Sequence, residues 1–268
     1  MEFLKNYYKS QQILSPINDS IYTQTIPSYY LPDGINTSEN VLAFIRGSEK
    51  PEEVIIISAH LDHMGIENNE IFNGADDNGS GTTAVMEMAQ AFKLAERDGY
   101  KPKRSVLFLH ITAEEIGLYG SKYYLENPVF ELSKTMANLN IDMIGRIDVK
   151  HKNKPDYLYL IGANRISKEL HFISEKVNNK FFKIDLDYTY NDDDDPNRFY
   201  FRSDHYRFAL KNIPVIFYFN GEHEDYHQPS DTPDKIAYDL LAKRTQFIFT
   251  TAWYLANKEN NLIHNVDI

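Results

Sequence analysis

The sequence predicts an α/β fold: a central mixed, mostly parallel β-sheet flanked by helices on both faces. Three observations carry this. Short apolar runs rich in β-branched residues recur along the chain and read as buried strands. Segments with helical periodicity lie between them, the order in which crossover helices build a parallel sheet. At 268 residues, the chain is long enough for one large domain, residues 1–268, with a substantial core.

Residues 1 to about 40 carry little periodic signal and are treated as an N-terminal extension. Ser28-Tyr29-Tyr30-Leu31-Pro32-Asp33-Gly34 reads as a turn before the first clear strand, Val41–Ile45. The runs Val54–Ser58, Val106–Ile111, Ala137–Ile141, Tyr157–Ile161 and Val215–Phe219 read as further strands. From Thr82 to Arg97, Val85, Met88, Ala89, Phe92 and Ala95 recur at helical spacing. Glu115–Asn127 and Ser167–Asn178 are expected helices. Thr232-Pro233 supplies a start signal for a long C-terminal helix, Asp234–Asn257. The acidic run Asp192–Asp195 reads as a solvated loop, the alternatives being a loop near the site or a weak cation site.

Composition narrows the function classes. With 42% hydrophobic and 25% charged residues the chain is an ordinary globular one, not a disordered one. Its net charge of −11, from 28 basic and 39 acidic residues, speaks against a nucleic-acid partner, which would need clustered Lys and Arg. The absence of cysteine removes disulfides, thiolate metal sites and Cys nucleophiles together, so any zinc must be held by His, Asp and Glu. No apolar run approaches the roughly 20 residues that span a bilayer. The start, MEFLKNYYKSQQ, lacks the apolar core of a signal peptide. The expectation is an exported protein, periplasmic or extracellular, whose signal is not in this chain; a cytoplasmic location is the alternative.

In open α/β sheets, ligands bind beyond the carboxyl ends of the strands, and polar clusters fall there five times. His60 follows the strand around Ile57, with Asp62 and His63 close behind. Asn73-Gly74-Ala75-Asp76-Asp77-Asn78-Gly79-Ser80-Gly81 forms a turn before a helix, where such residues also serve as caps. Glu114-Glu115 follows the strand ending at Ile111. Adjacent buried carboxylates repel unless a cation is present, although acids also suit the first turn of a helix. Asp142 follows the strand ending at Ile141. Asp225-Tyr226-His227-Gln228-Pro229-Ser230-Asp231-Thr232 precedes the last helix. Each cluster alone has an ordinary structural reading. Together they bring two histidines and at least three carboxylates to one sheet edge, a donor set suited to zinc without cysteine. From the residues alone, Asp76 and Asp77 could each reach a metal.

These motifs resemble the M28 family of zinc aminopeptidases. The matching pieces are His60-Leu61-Asp62, Gly74–Gly81, Ala113-Glu114-Glu115-Ile116-Gly117-Leu118-Tyr119-Gly120-Ser121, Asn140-Ile141-Asp142-Met143-Ile144-Gly145, and Tyr226-His227 with Pro229-Ser230-Asp231-Thr232. The resemblance implies two zinc ions per chain and hydrolysis that releases N-terminal amino acids from peptides with a free N-terminus. It implies that His60 and Asp142 hold one zinc, Glu115 and His227 the other, and Asp77 bridges them, with Asp76 a turn residue. Glu114 would be the general base, Asp62 would orient His60, and Tyr226 would place a phenol over the oxyanion. Ser203 would stand near the metal carboxylates. His63, His205 and His223, also near the motifs, are expected behind the ligands or at the surface, the alternative for each being contact with a metal. Phe199-Tyr200-Phe201 with Met143, Ile144 and Tyr218 could line an apolar pocket or pack the core. Arg202 could meet a substrate carboxylate or serve a structural salt bridge. The competing expectations are a glutaminyl cyclase, a carboxypeptidase or dipeptidase of the same fold, and a non-catalytic binding domain. The residues after Glu115 favour the peptidase.

Overall fold

The computed structural model describes residues 1–18 and 20–265. In chain order the elements are α1 (Glu2–Ser10), β1 (Thr23–Ile26), β2 (Ser38–Ile45), β3 (Lys50–His60), β4 (Gly65–Glu67), β5 (Glu70–Phe72), α2 (Gly81–Arg97), β6 (Arg104–Ile111), α3 (Tyr119–Glu126), β7 (Thr135–Ile141), β8 (Tyr157–Ile161), α4 (Lys168–Phe181), β9 (Asp185–Asp187), α5 (His205–Ala209), β10 (Val215–Phe219) and α6 (Tyr238–Asn257). Among the described residues the main sheet has eight strands, ordered β1-β2-β6-β3-β7-β10-β8-β9, and β4 and β5 form a separate hairpin. Its centre, β6-β3-β7-β10, is parallel throughout. Antiparallel pairing enters at β1-β2, β2-β6 and β10-β8, while β8-β9 is parallel. This is the mixed, mostly parallel sheet the sequence predicts.

Side-chain alternation along the strands builds a core on each face. Ile55, Ile57 and Ala59 of β3 join Val85 and Phe92 of α2 and Phe247 and Ile248 of α6 on one side. Val54 and Ile56 join Tyr124 of α3 and Phe208 of α5 on the other. Because both faces are covered, β3, β6 and β10 are largely apolar, and β7 buries Asn138 and Asn140 among apolar residues. No helix among the described residues is long and apolar enough to cross a membrane.

Three boundaries and two elements differ from expectation. β3 runs to His60, which pairs with Ile111 of β6, so this histidine ends the strand instead of following it. α3 starts at Tyr119, not Glu115, because Gly117 at φ +123° and Leu118 at φ +60° interrupt any helix running from the acid pair. α6 starts at Tyr238, after one tight turn at Pro233–Lys235. The N-terminal segment holds α1, whose Leu4 and Tyr8 share one buried face, a signal too short for periodicity to reveal. The β4–β5 hairpin, with three residues in each strand, is likewise too short for periodicity to reveal. Its turn, Asn68-Asn69 at φ +51° and +66°, uses a residue type tolerant of that region.

Two buried polar contacts tie the helices to the sheet. The Tyr8 hydroxyl lies 2.6 Å from Nε2 of His110, a fully buried residue of β6. Arg244 of α6, also buried, donates to the carbonyls of Tyr157 at 3.0 Å and of Ile144 and Arg146 at 2.8 Å. It thereby anchors the chain that leaves β7. Arg244→Leu would orphan those carbonyls and should cost roughly 3–5 kcal/mol in chemical denaturation; a loss below about 1 kcal/mol would show that they find other donors.

Burial pushes the His110 imidazole down to about 3. The unfolded chain takes up this proton near pH 6.5, whereas the folded chain does not. This contribution is therefore fully present above pH ~6.5 and shrinks as the pH falls toward 3. Denaturation curves between pH 7 and 4 should show a shallower acid-side loss for His110→Leu than for the parent chain; equal slopes would assign that loss elsewhere.

Candidate metal centre

The four adjacent parallel strands deliver the site. His60 ends β3, Glu114 and Glu115 follow β6, Asp142 follows β7, and His227 sits in the loop after β10. Asp77 comes from the turn that starts α2. All but His227 and Glu115 are buried. His60 Nε2 is 3.2 Å from Asp77 Oδ1 and 3.3 Å from Asp142 Oδ1. His227 Nε2 is 3.0 Å from Asp77 Oδ2 and 3.4 Å from Glu115 Oε2. Ligands about 2.0–2.2 Å from a tetrahedral zinc stand roughly 3.3–3.5 Å apart, so both groups have the spacing of donors around a common cation. Asp77 Oδ2 is buried and faces His227, with no backbone amide or hydroxyl tying it back. The residues therefore fit zinc, and Asp77 belongs to both groups.

The surroundings decide which oxygens face inward. Ser203 donates to Asp142 Oδ2 at 2.6 Å, leaving Oδ1 toward His60. Ser203 in turn accepts from Asn140 at 2.8 Å, Asn140 accepts from Ser58 at 2.7 Å, and Ser58 accepts from Asn138 at 2.8 Å. This chain of buried donors runs through the ends of β3 and β7 to Asp142. Asp76 is otherwise engaged: Oδ1 accepts from the Gly145 amide at 2.7 Å, and Oδ2 lies 3.1 Å from His223 Nε2. Both of its oxygens are thus tied to partners outside the two donor groups.

Asp62 meets His60 mainly through its backbone: Nδ1 lies 3.1 Å from the Asp62 carbonyl oxygen and 3.9 Å from its carboxylate. The carboxylate instead accepts the backbone amides of Glu114 at 3.1 Å and Glu115 at 3.3 Å. It is thus the acid-pair turn that it holds. Asp231, quoted in its motif without a role, does the same for the other turn: its Oδ2 accepts the amides of Asp76 at 2.9 Å and Asp77 at 3.2 Å. His205 is fully buried and stacked on Phe217, with ring centroids 4.7 Å apart, away from the donor groups.

The electrostatics show how much positive charge the cluster wants. Burial opposes the His60 cation, yet Asp142 and Glu114 raise its pKa well above the usual imidazole range. Hydrogen bonding to Asp77 and Glu115 pushes His227 up to about 10. Protons would collect where cations fit. Burial drives Glu114 well above the carboxylate range, with His60 opposing. Burial also raises Asp204, a fully buried acid behind the site, to about 7.

The donors open onto a narrow cleft of about 40 Å³, which Met143, Phe199, Phe217 and Phe219 also wall, with Arg202, Glu222 and Tyr226 at its side. Only part of the expected pocket is found here. Ile144 and Tyr218 pack in the core on the opposite face, Tyr218 as alternation along β10 requires, and Tyr200 packs under Arg165. Phe217, Phe219 and Glu222 were not anticipated, because an apolar strand does not announce which face meets a cleft. Arg202 pairs with Glu222 at 2.9 Å and donates to the Tyr226 hydroxyl at 3.1 Å. The Tyr226 ring stacks on His227 at 3.9 Å. In the acidic loop, Asp195 turns inward to accept the amides of Asn197 and Phe199, while Asp193 pairs with Arg165.

A family model for peptidase family M28 matches residues 40–252, which include every donor above. The chain belongs to this family. Aminopeptidase YwaD of Bacillus subtilis is 26% identical over 235 residues, covering 83% of this M28 chain and 46% of its own length. The chain spans less than half the length of the first curated relatives it matches. Among solved structures it resembles BSAP, a zinc aminopeptidase from Bacillus subtilis, with a TM-score of 0.66, 24% identity and coverage of 84% of this chain and 51% of that one. It also resembles Porphyromonas gingivalis glutaminyl cyclase, with a TM-score of 0.70, 18% identity and coverage of 93% and 87%. These structural likenesses establish the α/β fold and do not divide peptidase from cyclase.

Asp231→Ala should release the Asp76–Asp77 turn and lower stability by about 1–3 kcal/mol. The loss should persist in excess chelator, because it comes from two orphaned amides; a loss that vanishes with the metal would assign Asp231 to metal retention alone.

Proposed function

We propose that this M28 chain is a two-zinc aminopeptidase that hydrolyses the first peptide bond of substrates with a free N-terminus. The observation that carries the reading is the sharing of Asp77 between two donor groups, Oδ1 toward His60 and Oδ2 toward His227. His60 and Asp142 would hold one zinc, Glu115 and His227 the other, and Asp77 would bridge them. Family membership and the names of YwaD and BSAP support the chemistry and the metal.

Zinc held by these residues would supply Lewis acidity toward the scissile carbonyl and lower the pKa of water at the site. Glu114 takes the proton from the attacking water and returns it to the leaving amine. Burial suits it to this exchange, since its carboxylate gains more from a proton than an exposed one does. The Tyr226 hydroxyl accepts from Arg202, so its own proton is free to meet the developing oxyanion. Met143, Phe199, Phe217 and Phe219 would receive an apolar N-terminal side chain. A carboxypeptidase would need a free cation for the terminal carboxylate, and Arg202 is already engaged by Glu222.

Glu114→Gln should keep both metals while kcat/KM falls by about 10²–10⁴-fold. Asp77→Asn should lose metal. Elemental analysis of the two variants, with rates on aminoacyl and N-acetyl-aminoacyl anilides, checks both outcomes. Equal turnover of the acetylated substrate would sink the aminopeptidase reading, and cyclisation of N-terminal Gln peptides without amino-acid release would favour the cyclase.

A further inference from the structure

His63 belongs to neither donor group assigned above, yet it is wedged against one of them. Its Nδ1 is 2.8 Å from Glu115 Oε1 and 3.9 Å from Asp77 Oδ2. The pairs proposed to share a cation stand 3.0–3.4 Å apart. The His63–Glu115 separation is shorter, at the length of an N–H···O hydrogen bond. It also falls on Oε1, whereas His227 approaches Oε2.

The proton inventory agrees. His63 Nε2 is buried without a hydrogen-bond partner. If Nδ1 bound a metal, Nε2 would carry the ring proton and be an orphaned donor. If Nδ1 carries the proton to Glu115, Nε2 is only an unfilled acceptor, the cheaper deficiency. The ring has little room to choose otherwise. Gly74, at φ +58°, lies against it, and a β-carbon there would come within 2.7 Å of His63 Cγ and 2.4 Å of the Asp77 carbonyl oxygen. The His227 ring stands edge-on to it, with centroids 5.7 Å apart.

We propose that His63 is a positioning residue whose Nδ1–H holds Glu115 Oε1 and thereby commits Glu115 to binding the second metal through Oε2 alone. A carboxylate free to turn both oxygens onto one zinc would fill the coordination position that a substrate needs. The inference rests on the two-metal reading and adds a residue to it.

The test uses metal-free full-length protein reloaded with Co²⁺. Stepwise affinities come from chelator competition, and Co²⁺-bound histidines are counted from paramagnetically shifted, exchangeable imidazole N–H resonances. The wild type should take two Co²⁺ and show two such resonances, from His60 and His227. His63→Ala should weaken the second Co²⁺ by about 10–100-fold and leave the first unchanged. His63→Asn, whose amide nitrogen can occupy the Nδ1 position, should restore it, and His63→Gln should not. Three resonances in the wild type with one lost in His63→Ala would make His63 a ligand and overturn the proposal. Rescue by Gln equal to that by Asn would overturn it too. Two undiminished Co²⁺ affinities in His63→Ala would overturn this inference alone, whereas a wild type that takes one Co²⁺ would overturn the two-metal reading and this inference with it.

Discussion

The structure is organised around unpaid negative charge. Asp77, Asp142, Glu114 and Glu115 meet at the carboxyl edge of β6-β3-β7-β10, and the nearby cationic partners are imidazoles. Burying such a group without compensation costs several kcal/mol per ion. The upward shifts of His60 and His227 are the same demand seen from the bases. Divalent cations meet it more fully than protons do. This also accounts for part of the acidic composition, since carboxylates gathered to hold metal count as excess charge until the metal is included.

Such a cluster holds together because the scaffold is stiff where the cluster is costly. Ala113, Met143 and His227 all sit at positive φ, at +56°, +59° and +53°, each beside or at a donor. A non-glycine residue there costs on the order of 1–3 kcal/mol, and persists only where its surroundings over-determine it. Asp62 pins the amides after Ala113, Arg244 pins the carbonyls after Met143, and Asp225 fixes the loop before His227 through Arg146 at 2.7 Å and Lys235 at 2.6 Å. At these three positions the strained residue stands at or beside a donor, and its anchor lies one step behind.

The sequence made the sheet legible because its central strands are buried on both faces, so Val54–Ser58 and Val106–Ile111 stand out as apolar runs. The donors were legible because polar residues directly after such runs have few other reasons to be there. What escaped shares a physical cause. α1 has only Leu4 and Tyr8 on its buried face, too few for a period. The true start of α3 depends on Leu118 adopting φ +60°, which nothing in Glu115–Ser121 requires of a leucine. Asp62 stands two residues from His60, yet its carboxylate reaches across to the amides that follow β6, partners that proximity in sequence does not suggest. The cleft walls Phe217 and Phe219 share a strand with the core residue Tyr218, and only the sheet's orientation separates them.

The choice between Asp76 and Asp77, which residue identity left open, turns on how each carboxylate spends its lone pairs. Asp76 commits Oδ1 to the Gly145 amide and Oδ2 to His223. Asp142 commits one oxygen to Ser203, and Glu115 sets one against His63. Asp77 turns each of its oxygens toward a different histidine. A bridging ligand must offer two oxygens in two directions, whereas a terminal ligand needs one and is better defined when the other is tied back. The pattern of tethers therefore favours Asp77 as the bridge and Asp142 and Glu115 as one-oxygen ligands. Hydrogen bonds made away from the centre thus bear on the coordination inside it, and a carboxylate's partners say more about its role than its place in a motif.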